Sequence, residues 1–270
     1  MRVEFPSLLG LNPFPDSKWG PEDKPVCVLD GVVHRIREGT GPLRGSAAYV
    51  VGVSDRDFGG LCDRLDVLAL HFYEMRVASI QPLTQLARLR GLAIVWNTKV
   101  SDIGPLAELR ELRALRLSHT PRVKDLSALA ALSELTFLEI TGGVWSTSRL
   151  ASLDPVGALG RLRELVLMNA AVETGGLRPL AKCPELQRLD LSNQFRTEDY
   201  AFLSVMLPKT ECDMFAPYVR LAEPLEGKDV MVVGAKKPFL NSTSDGPRLA
   251  GYAAEFEALR EAFRQGGPGA

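Results

Sequence analysis

The residues with the widest chemical repertoire in this chain are three histidines, and their spacing decides whether a catalytic or metal centre is expected. His34, His71 and His119 are far apart in the sequence, and no HExxH, GxSxG or clustered Cys/His motif accompanies them. His71 and His119 could ligate a metal, but the sequence offers them no third ligand. We therefore expect neither a metal nor a cofactor, and these residues give no positive indication of enzyme activity.

The cysteines are the second group of reactive side chains. A zinc site would need clustered ligands and a small secreted scaffold would need denser cysteines, so we expect reduced thiols that are buried or half-buried. Residues 1–20 contain prolines and no long apolar stretch, which is untypical of a signal peptide, and the chain has no run of 18 apolar residues. These observations predict a cytoplasmic protein without a membrane partner. The four cysteines are Cys27, Cys62, Cys183 and Cys212.

The charge balance bears on nucleic acid as a partner. The chain has 32 Lys and Arg residues against 33 Asp and Glu residues, which gives a formal net charge of −1. Nucleic-acid binding relies on a cluster of cations that neutralises phosphates, and a nearly neutral chain gives no bulk indication of one. We therefore expect no nucleic-acid partner.

The element that must position the side chains is a repeated phrase, Leu-x-x-Leu-x-Leu, with Ile at the last position in two copies. Successive copies begin 24, 23, 23, 27 and 24 residues apart. A period in the twenties that carries this phrase resembles the leucine-rich repeat family. The resemblance implies an α/β solenoid: a horseshoe with a parallel concave sheet, short helical or 3-10 turns on the convex side, and a cap at each end. The six copies begin at Leu65, Leu89, Leu112, Leu135, Leu162 and Leu186.

The segments between the leucine phrases indicate which type of leucine-rich repeat the chain resembles. Several of them place a proline two residues after an apolar residue, as in Ile80–Leu83 and Ile103–Leu106, and proline suits the first turn of a short helix. This pattern looks like the short repeats of bacterial internalin-type proteins, so we expect a bacterial protein. The family's inward asparagine is the point of departure, because only one copy carries it. The corresponding positions hold Tyr73, Asn97, Thr120, Gly143, Ala170 and Gln194.

The repeats divide the chain into three predicted parts. Residues 1–60 are expected to form an N-terminal cap with a β-hairpin around Asp30-Gly31, and residues 61–207 the six-repeat array. Residues 208–270 are expected to form a C-terminal cap with a strand and an amphipathic helix. That helix could alternatively be offered to a partner or to a second copy. Its apolar face consists of Leu249, Tyr252, Phe256, Leu259 and Phe263.

Alternation along each strand predicts which side chains share the concave face. The early repeats place aromatic and apolar side chains there, the later repeats place charges and amides, and an insertion in the fourth repeat carries a tryptophan. An exposed aromatic patch beside a polar rim is typical of a protein interface. The candidate protein-binding residues are Phe72, Trp96, His71, His119, Val95, Arg116, Phe137, Glu139, Trp145, Glu164, Arg188 and Asp190.

The sequence therefore predicts a protein–protein interaction module that binds a partner protein through the concave face, as a scaffold, a regulator or a neutraliser of a toxin or effector. Two alternatives stay open: an enzyme with its site between the N-terminal cap and the sheet, and a self-assembling homo-oligomer. A further interpretation concerns the N-terminal residues, which could fold over the aromatic patch and make it part of the core. Their possible anchors are Phe5, Leu8, Leu9, Phe14 and Trp19.

Overall fold

A computed structural model describes residues 25–143 and 146–266 of the chain. The predicted N-terminal anchors and Trp145 lie outside these residues. The strands are β1 (Val26–Leu29), β2 (Val32–Arg35), β3 (Leu43–Arg44), β4 (Ala47–Val51), β5 (Leu65–Asp66), β6 (Ala69–Tyr73), β7 (Gly91–Val95), β8 (Ala114–Ser118), β9 (Phe137–Thr141), β10 (Ser148–Ser152), β11 (Glu164–Met168), β12 (Ala170–Thr174), β13 (Arg188–Leu191), β14 (Tyr218–Leu225), β15 (Lys228–Val232) and β16 (Phe239–Leu240). The α-helices are α1 (Asp55–Cys62), α2 (Asp154–Gly157), α3 (Thr197–Met206) and α4 (Gly246–Arg264). The 3-10 segments are Gln81–Gln85, Gly104–Glu108, Ser127–Ala131 and Arg178–Lys182.

The main sheet has nine strands in the order β13-β11-β9-β8-β7-β6-β4-β1-β2. The strands from β4 to β13 in this order are parallel, whereas β1 and β2 are antiparallel additions at one edge. Each repeat supplies one strand of four or five residues and then returns through a short helical or 3-10 segment. The expected solenoid with a parallel sheet and short turns on its other side is confirmed, and the chain folds as a leucine-rich repeat array.

Leucines build the core between the sheet and the turns. Alternate strand residues such as Leu92 and Ile94 face the turns and are fully buried, and so are the central residues of the turns, such as Leu83 and Leu106. Proline occupies the start of several turns, where its missing N–H costs no hydrogen bond. The turns pack in one row, from α1 through the 3-10 segments and α2 to α3 and α4. This row defines the convex side, and the opposite face of the sheet is the concave face.

The register of the first repeat differs from the sequence-based prediction by two residues. In the pairing of β6 with β7, Leu70 lies opposite Leu92 and Phe72 lies opposite Ile94. The copy that aligns with the later repeats therefore begins at Val67, which is 22 residues before Leu89. Leu65 pairs instead with Leu43 in the short β3–β5 ladder. The prediction failed here because Leu65–Leu70 also satisfies the leucine phrase.

The shift corrects the placement of Phe72. A residue opposite Ile94 faces the core, and Phe72 is fully buried with its ring 5.6 Å from the ring of Phe58 in α1. Phe72 therefore does not lie on the concave face, contrary to the prediction. The residue at the predicted position, level with Trp96, is Glu74, because Tyr73 lies opposite Val95.

The array also begins earlier than the leucine phrases. Strand β4 pairs in parallel with β6, with Ala48 opposite Leu70 and Val50 opposite Phe72. Ala48 and Val50 are fully buried and take the places that leucines hold in later repeats. The predicted hairpin is present as β1 and β2, and its turn residues Asp30 and Gly31 both have positive φ. The division of the chain at residues 60/61 and 207/208 stays a prediction.

Two further elements flank the array. The insertion of the fourth repeat ends in β10, which pairs in parallel with β12, so its C-terminal part is a strand rather than a loop. At the C-terminal end, β14, β15 and β16 form a small antiparallel sheet, and helix α4 packs on α3 with Phe263 at 5.4 Å from Phe202. The apolar face of α4 thus has an intramolecular partner.

Among the described helices, none has the length and apolar character needed to cross a bilayer.

Candidate functional site

Three aromatic side chains form a row where adjacent parallel strands end. Tyr73 is the last residue of β6, and Trp96 and His119 directly follow β7 and β8. The indole of Trp96 stacks on the imidazole of His119, with 5.7 Å between centroids and 24° between planes. The ring of Tyr73 meets the other side of the indole edge-on at 6.0 Å. We call Tyr73, Trp96 and His119 the aromatic ladder, and Trp96 is its exposed member, with 47% of its surface accessible.

The backbone explains why the ladder projects from the sheet. Trp96 and His119 have φ values of 60° and 53°, in the left-handed region. Their N–H groups still donate to the carbonyls of Ser118 and Thr141 on the next strands, so each continues the ladder of hydrogen bonds before the chain turns away. Left-handed backbone costs a residue with a Cβ roughly 1–2 kcal/mol relative to the right-handed form. Trp96 and His119 are therefore presented at some cost in backbone strain.

An asparagine, Asn97, fixes the turn that directly follows Trp96. Asn97 is fully buried, and its Nδ2 donates to the carbonyl of Val77 at 2.9 Å. Its Oδ1 accepts from the N–H groups of Lys99 at 2.8 Å and Val100 at 3.0 Å. These bonds satisfy backbone groups that would otherwise be buried without partners, so they fix the backbone that presents the indole.

The inner concave face carries a second, apolar feature. Ala93, Ala114, Phe137 and Val166 form one buried cluster across four adjacent strands, with Val95 packed against it. We call this set the inner cluster. Of the predicted binding residues, Phe137 is only 2% exposed and Val95 is half-buried. The inner cluster is therefore largely inaccessible to solvent.

The buried concave surface continues toward the N-terminal edge at His71. This residue is 1% exposed and meets the ring of Tyr49 edge-on at 4.8 Å. Burial, aided by repulsion from the Arg116 cation, lowers the pKa of His71 to about 3. The imidazole is therefore neutral at physiological pH and is a weak base.

A mostly buried ion pair crosses the middle of the concave face. Arg116 and Glu139 lie opposite each other in the β8–β9 pairing, and Arg116 Nε donates to Glu139 Oε2 at 2.7 Å. Burial raises the pKa of Glu139, and the Arg116 guanidinium offsets part of that rise. A charge-assisted bond of this kind fixes the two side chains laterally in the sheet.

The last repeats present the remaining predicted charges. Glu164 lies opposite Arg188 in the sheet, yet Arg188 forms an ion pair with Glu211 at 3.8 Å. Asp190 is half-buried beside them, and burial raises the pKa of its carboxyl. Arg188 is well exposed. These three predicted residues occupy the C-terminal end of the face, away from the aromatic ladder.

The structure thus separates the predicted binding residues into groups. In the structure, Trp96 and His119 lie together, His71 and Phe137 are buried, and Phe72 lies in the core. Sequence reasoning missed Tyr73 as a ladder member. The signal was present in the 22-residue spacing of Val67 and Leu89, because that register places Tyr73 level with Val95.

The three histidines do not form one site. His34 lies on β2, His71 on β6 and His119 just after β8. Three strand spacings of ~4.8 Å separate β2 from β6, about 14 Å, and two separate β6 from β8, about 10 Å. Among residues 25–143 and 146–266, no group of three or more His, Cys, Asp or Glu side chains could hold a metal ion.

Comparison with known proteins returns structures of the same repeat type. Internalin C2 of Listeria monocytogenes is 21% identical over 62% of this chain and 69% of its own, with a TM-score of 0.49. A leucine-rich repeat protein of Leptospira interrogans is 22% identical over 60% of this chain and 40% of its own, with a TM-score of 0.47. The functional domain of InlJ of Listeria monocytogenes is 17% identical over 60% of this chain, with a TM-score of 0.42. This chain spans 32% of the InlJ structure. No protein-family model matches the chain, and no curated protein is similar to it in sequence.

Proposed function

We propose that this chain is a bacterial, cytoplasmic protein-interaction module that binds a partner protein at the aromatic ladder. The observation that carries the proposal is the exposed indole of Trp96, held in left-handed backbone and stacked on His119. A pre-ordered aromatic side chain loses little conformational entropy on binding, and tryptophan is enriched among residues that dominate interface energies. Scaffold, regulator and neutraliser of a toxin or effector are all compatible roles.

The polar surroundings of the ladder fit the rim of such an interface. Ser118 and Thr141 follow one another across the strands beside it, with a hydroxyl–hydroxyl bond of 2.7 Å. Glu74 is the left-handed residue of the first repeat, level with Trp96 and His119. Hydroxyl and carboxylate groups around an aromatic centre are typical of the rim that excludes water from a contact.

The cysteines support the cytoplasmic part of the proposal. All four are free thiols, three of them buried and Cys212 half-buried. Burial raises the pKa of Cys27, Cys62 and Cys212 to about 12 and that of Cys183 to about 11. The thiolate is the reactive form, so these side chains are poorly reactive packing groups, which suits a reducing compartment.

The test is quantitative capture of proteins from a lysate of the source organism by immobilised wild type, Trp96→Gly and Met206→Ala. Met206 on α3 is 45% exposed. Met206→Ala is therefore a matched control, because this substitution also removes a large exposed apolar side chain. We expect a captured protein that is lost with Trp96→Gly and retained with Met206→Ala. Equal capture by a folded Trp96→Gly protein would show that the ladder is not the binding site.

A further inference from the structure

The two flanks of the array differ in how their charges are used. On the flank where the strands of the main sheet begin, arginines pair with carboxylates of a neighbouring repeat. The opposite flank follows the ends of β6, β7, β8 and β9 and lies beside the aromatic ladder. We call these the strand-start flank and the strand-end flank. The ion pairs of the strand-start flank are Arg88–Asp66, Arg90–Glu111, Arg161–Glu134, Arg163–Glu185 and Arg188–Glu211.

The strand-end flank carries a row of cations at one position of the repeat. In four successive repeats a basic residue directly precedes a buried Val or Leu of the core, so the four occupy equivalent places. The N–H of Ala151 donates to the carbonyl of Lys124 at 2.9 Å, which joins the backbones of the third and fourth repeats on this flank. Four repeats at the strand spacing of ~4.8 Å give the row a length of about 14 Å. This basic row consists of Arg76, Lys99, Arg122 and Arg149.

Most of the positive charge on the strand-end flank is not neutralised by neighbouring side chains. Lys99 forms an exposed ion pair with Asp55 at 3.3 Å. Four other exposed cations form no ion pair or side-chain hydrogen bond with any residue in 25–143 or 146–266. They are Arg76, Arg122, Lys124 and Arg149. An exposed cation of this kind is available to a carboxylate from outside the chain.

The basic row lies next to the exposed indole of the aromatic ladder. Lys99 follows Trp96 by three residues, and Arg122 follows His119 by three residues. Three residues of chain reach at most about 11 Å. One partner can therefore contact the ladder with an apolar side chain and the basic row with charged side chains.

We propose that the partner presents an acidic protein segment to this surface, with Asp or Glu carboxylates at the basic row and an apolar anchor at Trp96. The inference rests on the proposed function and names the chemistry of its partner. Complementary charge steers association and sets the orientation of two proteins, and arginine binds carboxylates in a bidentate geometry. A row of about 14 Å matches four or five residues of extended chain at ~3.3 Å per residue.

Carboxylates on the same flank favour a protein segment over a nucleic acid. Asp102 and Asp125 each follow a member of the basic row by three residues. They accept the N–H groups of Gly104 at 2.7 Å and Ser127 at 2.8 Å. The bonds from Ser127 lower the pKa of Asp125, so this carboxylate is ionised at neutral pH. A phosphate at every nucleotide would meet these negative charges, whereas a protein segment can place its carboxylates at the cations alone.

The first experiment measures the binding of a dye-labelled peptide to the full-length chain by fluorescence anisotropy. The peptide carries glutamates on both sides of one leucine in a Gly-Ser background, and the control peptide has glutamine in place of every glutamate. We expect tighter binding of the acidic peptide. Its affinity should fall when the ionic strength rises from about 0.1 M to about 1 M, because the Debye length shrinks from about 10 Å to about 3 Å. Equal affinity for the two peptides, or no binding of either, would overturn the proposal.

The second experiment compares two charge-reversal variants with the same change in net charge. Arg122→Glu/Arg149→Glu alters the basic row, and Arg110→Glu/Arg113→Glu alters exposed arginines just before β8 on the strand-start flank. We expect the first variant to bind the acidic peptide roughly tenfold more weakly, because attraction becomes repulsion at two sites, and the second to differ from the wild type by less than about twofold. Equal weakening in both variants would show an effect of net charge alone and would contradict the proposal.

Two further comparisons separate the alternatives. Tighter binding of single-stranded oligodeoxythymidine than of the acidic peptide would contradict a protein segment as the occupant. Peptide binding that is lost in Trp96→Gly and unchanged in Arg122→Glu/Arg149→Glu would refute the acidic partner and leave the ladder as the binding site. Peptide binding that is weakened in the arginine variant and unchanged in Trp96→Gly would support the basic row and count against the ladder.

Discussion

The ring of Trp96 stacks on the ring of His119 while both residues hold left-handed backbone, at φ values of 60° and 53°. The two facts are linked, because each residue follows its strand at the same position of consecutive repeats. A repeat array therefore converts a local backbone conformation into a column of aligned side chains. The stack of Trp96 on His119 is therefore a product of the repeat period rather than of a special loop.

The backbone strain at Trp96 is separable from the packing of its ring. We expect Trp96→Gly to be more stable than Trp96→Ala by about 1 kcal/mol, because glycine adopts positive φ without the penalty that a Cβ incurs. Both variants lose the same stacking on His119. Urea unfolding followed by circular dichroism measures the difference. An alanine variant as stable as the glycine variant would show that this position carries no strain.

The buried imidazole of His71 makes stability depend on acid. Its pKa falls from 6.5 to about 3 in the folded protein, so below pH 6.5 the unfolded chain binds a proton that the folded chain does not. This contribution destabilises the fold progressively as the pH falls from 6.5 toward 3, by about 2 kcal/mol at pH 5. We expect the free energy of unfolding of His71→Phe to fall less steeply than that of the wild type over this range.

The control for that prediction is Tyr49→Phe, which changes the neighbouring ring but keeps the imidazole. The free energy of unfolding of Tyr49→Phe should fall between pH 6.5 and 5 as steeply as that of the wild type. Parallel slopes for the wild type and His71→Phe would contradict the assignment of a strongly lowered pKa to His71.

The leucine phrase predicted the sheet and the convex turns because leucine spacing determines which residues must be buried together. It did not determine the first register, since Leu65–Leu70 and Val67–Phe72 both fit an apolar alternation. Only the pairing of Phe72 with Ile94 distinguishes them. A strand was predicted over residues 48–53, but its place in the parallel array was not, because Ala48 and Val50 fill core positions without leucine.

The concave face was harder to predict than the core. Alternation assigned Ala93, Phe137 and His71 to the correct face, and the structure shows them there. Alternation assigns residues to a face but does not determine how exposed they are, and it therefore did not predict that His71 and Phe137 are buried. The left-handed backbone at Trp96 was also hidden, since its residue type disfavours that conformation.

The next prediction concerns Asn97, whose side chain is buried and makes three hydrogen bonds to the backbone. Replacement by alanine deletes three hydrogen bonds. The N–H groups of Lys99 and Val100 and the carbonyl of Val77 then lose their bonds to this side chain. We expect Asn97→Ala to lower the free energy of unfolding by about 2–4 kcal/mol. The adjacent exposed Thr98→Ala should change it by less than about 0.5 kcal/mol. Chemical unfolding of both variants checks this, and equal stabilities would show that the asparagine bonds are dispensable.

A last prediction concerns the close approach of two convex turns. A Cβ built on Gly157 in α2 would lie 2.5 Å from the carbonyl oxygen of Pro179 in the next repeat, closer than such atoms can approach. The obstacle is backbone, so Gly157→Ala must push the two turns apart, and we expect a loss of about 1–3 kcal/mol. Gly160, three residues away, has no atom within 4 Å of the corresponding Cβ.

Gly160→Ala is therefore the matched control, and it should be neutral or slightly stabilising, because alanine reduces the freedom of the unfolded chain. Thermal unfolding of both variants measures the contrast. Neither glycine has positive φ, so the difference reports packing between repeats and not backbone strain. If the two variants unfold at the same temperature, the fourth and fifth repeats do not pack as closely as Gly157 and Pro179 indicate.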